Sequence, residues 1–271
     1  MNDQRQQRSL RCAVLLMSTL TGLMGAMLRP ASAEIIHQYC FTEDGTDMVG
    51  GADATLVNGA TVSAGQLVLD GVDDHATLPI GASLSALDTV TFEGWATITE
   101  RRSWSRLFDF GNDTNKYSFL TVNAGFSGRP RYAATVSGFA TENQLSSPTE
   151  QIPLNTETHF AVSLDGVNNV ARMYLDGTLV ATNFGFSLSP ADVGSTSSNY
   201  LGRSQFIDPF LLGSFNEFRI YNTALSEVEV AASFAAGTTQ CVPEPATLPL
   251  LMGLAAAGWW RRRRHRVPQA A

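Results

Sequence analysis

Asp70, Asp73 and Asp74 place three carboxylates within five residues of one another. Hard Ca²⁺ takes about six to eight oxygen ligands, so this oxygen-rich turn is a candidate calcium site. Asp-Gly-Val-Asp-Asp is equally good turn chemistry, because an Asp side chain accepts from backbone N–H groups two residues on. Both readings stand at this point. Asp109-Phe110-Gly111-Asn112-Asp113 is a second candidate of the same kind, again with a plain turn as its alternative. A catalytic set is harder to find. His37, His75, His159 and His265 are scattered, and no HExxH, CxxC or GxSxG run occurs. Glu217 stands with Arg219 two residues on, which in a strand is the same face and the geometry of an ion pair. The chain therefore reads as non-catalytic. Sugar binding would use aromatics beside polar groups. Over Val90–Ile98, alternation separates Phe92, Gly94 and Ala96 from Thr91, Glu93 and Trp95. If the first set faces the core, Trp95 and Glu93 lie together on the opposite face. With Trp104 they are the candidate ligand-binding residues, while Tyr132, Phe206 and Phe210 lie in or beside loops. Core packing is the alternative for each.

The elements that must position these residues are short and alternating, broken by Gly, Asn and Asp. Glu34–Phe41, Gln66–Leu69, His75–Leu78, Val90–Ile98, Arg106–Phe110, Tyr117–Val122 and Arg131–Val136 fit strands. So do His159–Leu164, Ala171–Leu175, Thr178–Thr182 and Gly213–Tyr221. Asp176-Gly177 joins two of them as a tight hairpin. One helix is expected after the capping box Ser226-Glu227-Val228-Glu229, ending at Gly237. Val228, Val230 and Phe234 supply its apolar contacts. Many strands and one late helix predict an all-β jelly-roll sandwich in a single domain over residues 34–241.

The ends carry a different pattern. Arg5, Arg8 and Arg11, an apolar run from Ala13 to Leu28, and Ala31-Ser32-Ala33 form a signal peptide over residues 1–33, removed by signal peptidase. Residues 242–271 hold Pro243-Glu244-Pro245, an apolar segment at 246–260, and a basic block from Arg261 to Arg266. That segment is shorter than the ~20 residues of an untilted transmembrane helix. The arginines would stay cytoplasmic, which puts the body outside. Between the ends lie nine of the 18 Lys and Arg and 23 of the 25 Asp and Glu, a balance of −14 against −7 for the whole chain. Such a surface repels nucleic acid and anionic polymers unless cations intervene, and plain solubility of a secreted protein is the alternative account of the charge. Cys40 and Cys241 remain after the signal peptide, and in an oxidising compartment they most simply form one disulfide. Closing a loop of about 200 residues would stabilise by roughly 4–5 kcal/mol. Two free thiols, or a bridge between chains, are the alternatives.

The tail resembles the PEP-CTERM sorting signal of Gram-negative bacteria: Pro-Glu-Pro, a short transmembrane helix and a basic end. The resemblance implies an exosortase-type partner that cuts near Pro243 and delivers the protein to the cell surface. The body resembles laminin G-like (concanavalin A-like) jelly-roll domains. Four blocks carry that likeness: Leu69-Asp70-Gly71-Val72-Asp73-Asp74-His75-Ala76-Thr77-Leu78-Pro79; Val90-Thr91-Phe92-Glu93-Gly94-Trp95-Ala96; Ala171 to Gly177; and Phe215 to Ser226. The fold hosts lectins, adhesion modules, sensors and hydrolases, so it specifies architecture more than activity. It implies first and last strands side by side, which would bring Cys40 near the approach to Cys241. It raises the case for calcium. It also implies that a hydrolase would carry Glu-x-Asp-x-x-Glu or Glu-x-Asp-x-Glu on one strand, and neither run occurs. The expectation is an exported, non-catalytic adhesion or matrix module binding polysaccharide or a surface protein. A glycan hydrolase or lyase, and a purely structural protein, are the rivals.

Overall fold

Backbone pleating sends successive side chains to opposite faces, and a chain of short alternating strands can bury one face only by pairing two sheets. The computed structural model describes residues 33–238, and two antiparallel sheets are what it shows. In chain order the strands are β1 (Ile35–Tyr39), β2 (Thr55–Val57), β3 (Thr61–Ser63), β4 (Gln66–Asp70), β5 (His75–Thr77), β6 (Thr89–Ile98), β7 (Arg106–Gly111) and β8 (Tyr117–Thr121). They continue as β9 (Arg131–Thr135), β10 (Asn143–Ser146), β11 (Glu157–Asp165), β12 (Val170–Leu175), β13 (Thr178–Asn183), β14 (Ser198–Leu201) and β15 (Leu212–Tyr221). The first sheet runs β13-β12-β11-β6-β15-β4-β3, with β1 also on β15; the second runs β10-β9-β8-β7-β14-β5-β2. Three short helices are α1 (Gly81–Leu84), α2 (Pro190–Val193) and α3 (Glu227–Ala236). Among the described residues no helix is long and apolar enough to cross a membrane. The signal peptide, the 246–260 segment, Pro243-Glu244-Pro245 and Cys241 lie outside the described residues.

The jelly-roll expectation holds, including the pairing of first and last strands, with Tyr39 opposite Phe218. The core is aromatic where the sheets meet. Phe92 of the first sheet lies 5.1 Å from Phe108 and 5.4 Å from Phe110 of the second, and Phe218 lies 5.9 Å from Phe108. Gly94 is small for a reason: a Cβ there would come within 2.7 Å of the Phe160 ring and 2.9 Å of the Glu217 carbonyl. The Asp176-Gly177 hairpin forms as expected, with φ of 46° and 72° and Leu175 opposite Thr178. Helix α3 also starts as its capping box demands. Ser226 Oγ accepts from Glu229 N–H while Glu229 accepts from Ser226 N–H, and Gly237 closes the helix at φ 68°.

Four strands were not expected: β2, β3, β10 and β14. Each is three or four residues long and partly exposed, so alternation has too few positions to register. Of the apolar residues assigned to α3, Val230 is fully buried and Phe234 packs on the His159 ring at 5.4 Å. Val228 instead faces solvent.

Candidate functional site

Both outer faces of the sandwich carry chemistry, and they are built for different ends. On the first sheet, Glu93 and Trp95 do project together away from the core, as alternation requires. They are not a ligand platform. Glu93 is 0% and Trp95 4% exposed, under a layer in which His159 and Arg219 lie on Trp95 and helix α3 adds Ser233 to Glu93 and Phe234 to His159. Glu93 accepts from His159 Nε2 at 2.8 Å, Tyr221 Oη at 2.8 Å and Ser233 Oγ at 2.9 Å. His159 Nδ1 takes the Gly177 N–H, so Nε2 carries the proton it gives to Glu93. Arg219 stacks over Trp95 at 4.5 Å, pairs with Glu217 as expected, and donates to the Gly237 carbonyl at 3.0 Å. Gln38 donates to Glu217 at 2.7 Å. Burial pushes the Glu93 carboxyl up, but the His159 and Tyr221 hydrogen bonds and the Arg219 charge outweigh it, and the net direction is down. This network locks α3 to the sheet. No ligand reaches Glu93 or Trp95 while that helix is docked.

The second sheet's outer face carries a cleft over a largely buried floor. Trp104 enters it from the loop before β7, in the left-handed region at φ 64°. A tryptophan held there costs of order 1–3 kcal/mol, and such positions gather at functional sites. Its N–H donates to the Asn123 carbonyl at 2.8 Å, and its own carbonyl takes Arg106 Nη1 at 2.8 Å. Trp104 and Phe206 pack against the small outer cluster of Tyr117, Phe119 and Ala133. Together with Arg131, Phe139 and Gln144 they line a cleft of about 370 Å³. Phe139 is 73% exposed at its mouth.

Arg106 forms the floor. It lies over the Phe119 ring at 3.7 Å, pairs with Asp109 at 3.4 Å and with Asp208 at 3.0 Å. Residues three apart in a strand normally face opposite ways. A register shift between Arg106 and Phe108 restores both to one face, as an inserted bulge residue does. Asp109 is fully buried, with Oδ2 accepting from Gln205 N–H at 3.0 Å and Oδ1 without a partner among the described residues. Burial raises its carboxyl to about 6 against the pull of Arg106. Glu142 accepts from Tyr117 Oη at 2.7 Å and from Gln144 Nε2 at 2.9 Å.

The remaining sequence candidates divide. Asp70, Asp73 and Asp74 do converge, with one carboxylate oxygen from each lying within 4.8 Å of the others. Asp70 and Asp73 are exposed and Asp74 is buried. Asp74 already accepts from Gly59 N–H at 2.7 Å and Asp70 N–H at 3.1 Å, and Asp70 accepts from Val72 N–H at 2.7 Å. The donor set is hard oxygen and fits calcium, while the same bonds also brace the turn. The second oxygen-rich run does not cluster. Asp109 belongs to β7 and faces Arg106, Asn112 accepts from Ser197 N–H, and Asp113 caps Asn115 N–H. Cys40 is buried. Tyr132 is core and Phe210 packs on His75. Of the aromatics singled out in sequence, Trp104 and Phe206 reach the cleft. Arg106, Phe119, Arg131, Phe139 and Gln144 carried no signal beyond strand alternation and loop composition.

Two antiparallel sheets with the first and last strands paired make a jelly-roll sandwich. A model of the concanavalin A-like lectin/glucanases superfamily matches residues 70–231, and the chain belongs to that family. A PEP-CTERM protein-sorting motif matches residues 242–264. No curated protein matches the chain. Among solved structures, domain 4 of an extracellular arabinanase from Geobacillus stearothermophilus, in complex with arabinotriose, is similar at 22% identity. That match covers 74% of this chain and 98% of that one, with a TM-score of 0.64. A Trypanosoma rangeli sialidase in complex with 2,3-difluoro-KDN is 19% identical over 76% of this chain and 33% of its own, TM-score 0.59. The CBM40 of a Ruminococcus gnavus IT-sialidase, bound to alpha2,6 sialyllactose, is 16% identical over 62% of this chain and 95% of its own, TM-score 0.51. The likeness is one of fold, which binding modules and domains of glycosidases share, and it does not decide catalysis either way.

Proposed function

We propose that this is an exported surface protein whose cleft on the second sheet binds saccharide without cleaving it. The observation that carries the reading is the open cleft itself. Trp104, Phe206 and Phe139 offer apolar walls for sugar ring faces, while Arg131 and Gln144 offer donors for hydroxyls. An arabinanase domain of the same fold was solved holding arabinotriose, which is in keeping with it. Titration of the full chain in detergent against plant and bacterial oligosaccharides tests the proposal. Trp104→Ala should lower affinity at least tenfold, about 1.4 kcal/mol, with Tm within a few degrees of the parent. Binding that survives Trp104→Ala undiminished would move the site elsewhere. Reducing-sugar release from any of these oligosaccharides would replace the binding reading with a hydrolytic one.

The sorting motif supports export and exosortase processing near Pro243, with delivery to the surface of a Gram-negative cell. An intact mass of the exported protein that retained Arg261–Arg266 would contradict processing. A disulfide between Cys40 and Cys241 belongs to the same proposal, and a non-reducing peptide map without that cross-link would remove it. Calcium at Asp70, Asp73 and Asp74 is the final part. Calcium at 100 times its Kd should stabilise the parent by about 2.7 kcal/mol and leave Asp73→Ala unmoved. Equal Tm in calcium and in EDTA would leave the cluster as a turn brace alone.

A further inference from the structure

We infer that the cleft selects neutral saccharides over acidic ones, with Arg131 the residue that grips them; this rests on the saccharide reading above. The charged groups of the cleft decide it. Arg106 is spent on Asp109, Asp208 and the Trp104 carbonyl. Asp208 also takes Ser204 Oγ at 2.9 Å, and Glu142 takes Tyr117 and Gln144. Arg131 differs. Its Nε donates to Ser146 Oγ at 3.0 Å, and its two terminal nitrogens have no hydrogen-bond partner among the described residues. Its guanidinium lies over the Trp104 ring at 5.5 Å, on the wall of the cleft, and Arg106 lies over the same ring at 5.7 Å. A guanidinium is a rigid fork of parallel donors, and two adjacent oxygens of a sugar match its spacing.

A carboxylate would match that fork as well, and here the surroundings count against it. Arg106 and Arg131 are the two cations, against Glu142, Asp208 and the buried Asp109. The cleft is thus not net positive near neutral pH, and it sits on a body with a balance of −14 over residues 34–241. An acidic oligosaccharide would approach a net field of its own sign, whereas a neutral one meets only the fork and the aromatic walls. Arg131 therefore acts on vicinal hydroxyls of a sugar seated between the fork and the aromatic lining of Trp104, Phe139 and Phe206.

Oligosaccharide pairs of one linkage that differ only at C6 separate the two classes: cellulose-type glucan and its glucuronan, and mannan and mannuronan. The full chain in detergent is titrated with each member at low and high ionic strength. The neutral member of the bound pair should bind at least tenfold more tightly at low salt, with the gap narrowing as salt screens the field. Arg131→Gln should weaken neutral binding about tenfold, and Arg131→Lys should recover only part of it, with Tm and circular dichroism unchanged in both. An acidic member binding as tightly as its neutral partner at low salt, or Arg131→Gln binding like the parent, would overturn the inference and leave the cleft as a saccharide site. No binding by any member, nor by the plant and bacterial oligosaccharides titrated above, would overturn the saccharide reading with it.

Discussion

Replacing Glu93 by Ala should destabilise the protein by roughly 3–5 kcal/mol, because removing one partner of a buried charge network strands the others. Glu93 holds His159, Tyr221 and Ser233 by hydrogen bonds of 2.8–2.9 Å and faces Arg219, all in the layer under α3. Its loss strips the His159 donor of its acceptor, leaves the Tyr221 and Ser233 hydroxyl protons only their weak mutual contact at 3.4 Å, and loosens the helix that Ser233 ties down. For a domain of this size that is a fall in Tm on the order of 10 °C. Amide exchange should quicken first in α3. The pH dependence has a defined sign. Glu93 titrates below its ordinary value in the folded state, so its contribution is full above the unfolded carboxyl range and is lost as pH falls through the folded one. Acid unfolding of the Glu93→Ala variant should therefore begin from a lower plateau and be shallower. A loss under ~1 kcal/mol at neutral pH, measured by urea unfolding, would show that α3 is held by apolar contact alone.

Asp109→Asn should act in the opposite direction across pH. Burial raises Asp109 from 3.8 to about 6 when folded. That is about two pK units, or roughly 3 kcal/mol between its protonated and ionised states. A raised folded value means the stabilising contribution is complete below the unfolded pKa and is lost as pH rises through about 6. In the parent this carboxyl makes the fold less stable at pH 7.5 than at pH 4 by its own account. Asparagine cannot ionise. Its amide oxygen can accept from Gln205 N–H and Arg106, and its NH₂ takes the place of the unpartnered Oδ1. Relative to the parent, the variant should therefore gain about 2–3 kcal/mol between pH 4 and pH 7.5. A difference between variant and parent that is the same at both pH values would show that Asp109 does not titrate in this window. Arg106, Asp208 and Tyr117 face the same site, so their single variants calibrate the comparison.

What was legible in the sequence was whatever repeats or punctuates. Alternation over Val90–Ile98 put Phe92 and Ala96 in the core and Glu93 and Trp95 on the opposite face. Asp176-Gly177 and the Ser226 capping box are local chemistry, and both form as written. Alternation cannot say what lies on top of an outward face. Glu93 and Trp95 were ligand candidates with core packing as the alternative, and the helix that decides between them arrives about 130 residues later, from Glu227. The cleft was hidden for two other reasons. Arg106 and Asp109 share a face only through a bulge, which breaks the two-residue rhythm that sequence reading relies on. Glu142 and Gln144 flank the start of a strand too short and too polar to be seen. Trp104 was visible as a loop aromatic. Its role as a cleft wall depends on a backbone angle, φ 64°, that no residue type at that position announces.

The central claim is that saccharide meets the outer face of the second sheet at Trp104. The indole N–H resonance of Trp104 in the full chain, assigned by its loss in Trp104→Phe, tests this directly during titration with the bound neutral oligosaccharide. The account predicts that this resonance shifts and saturates with the ligand, while that of Trp95, sealed under α3, stays in place. A Trp104 resonance that stays still while Trp95 moves would contradict it.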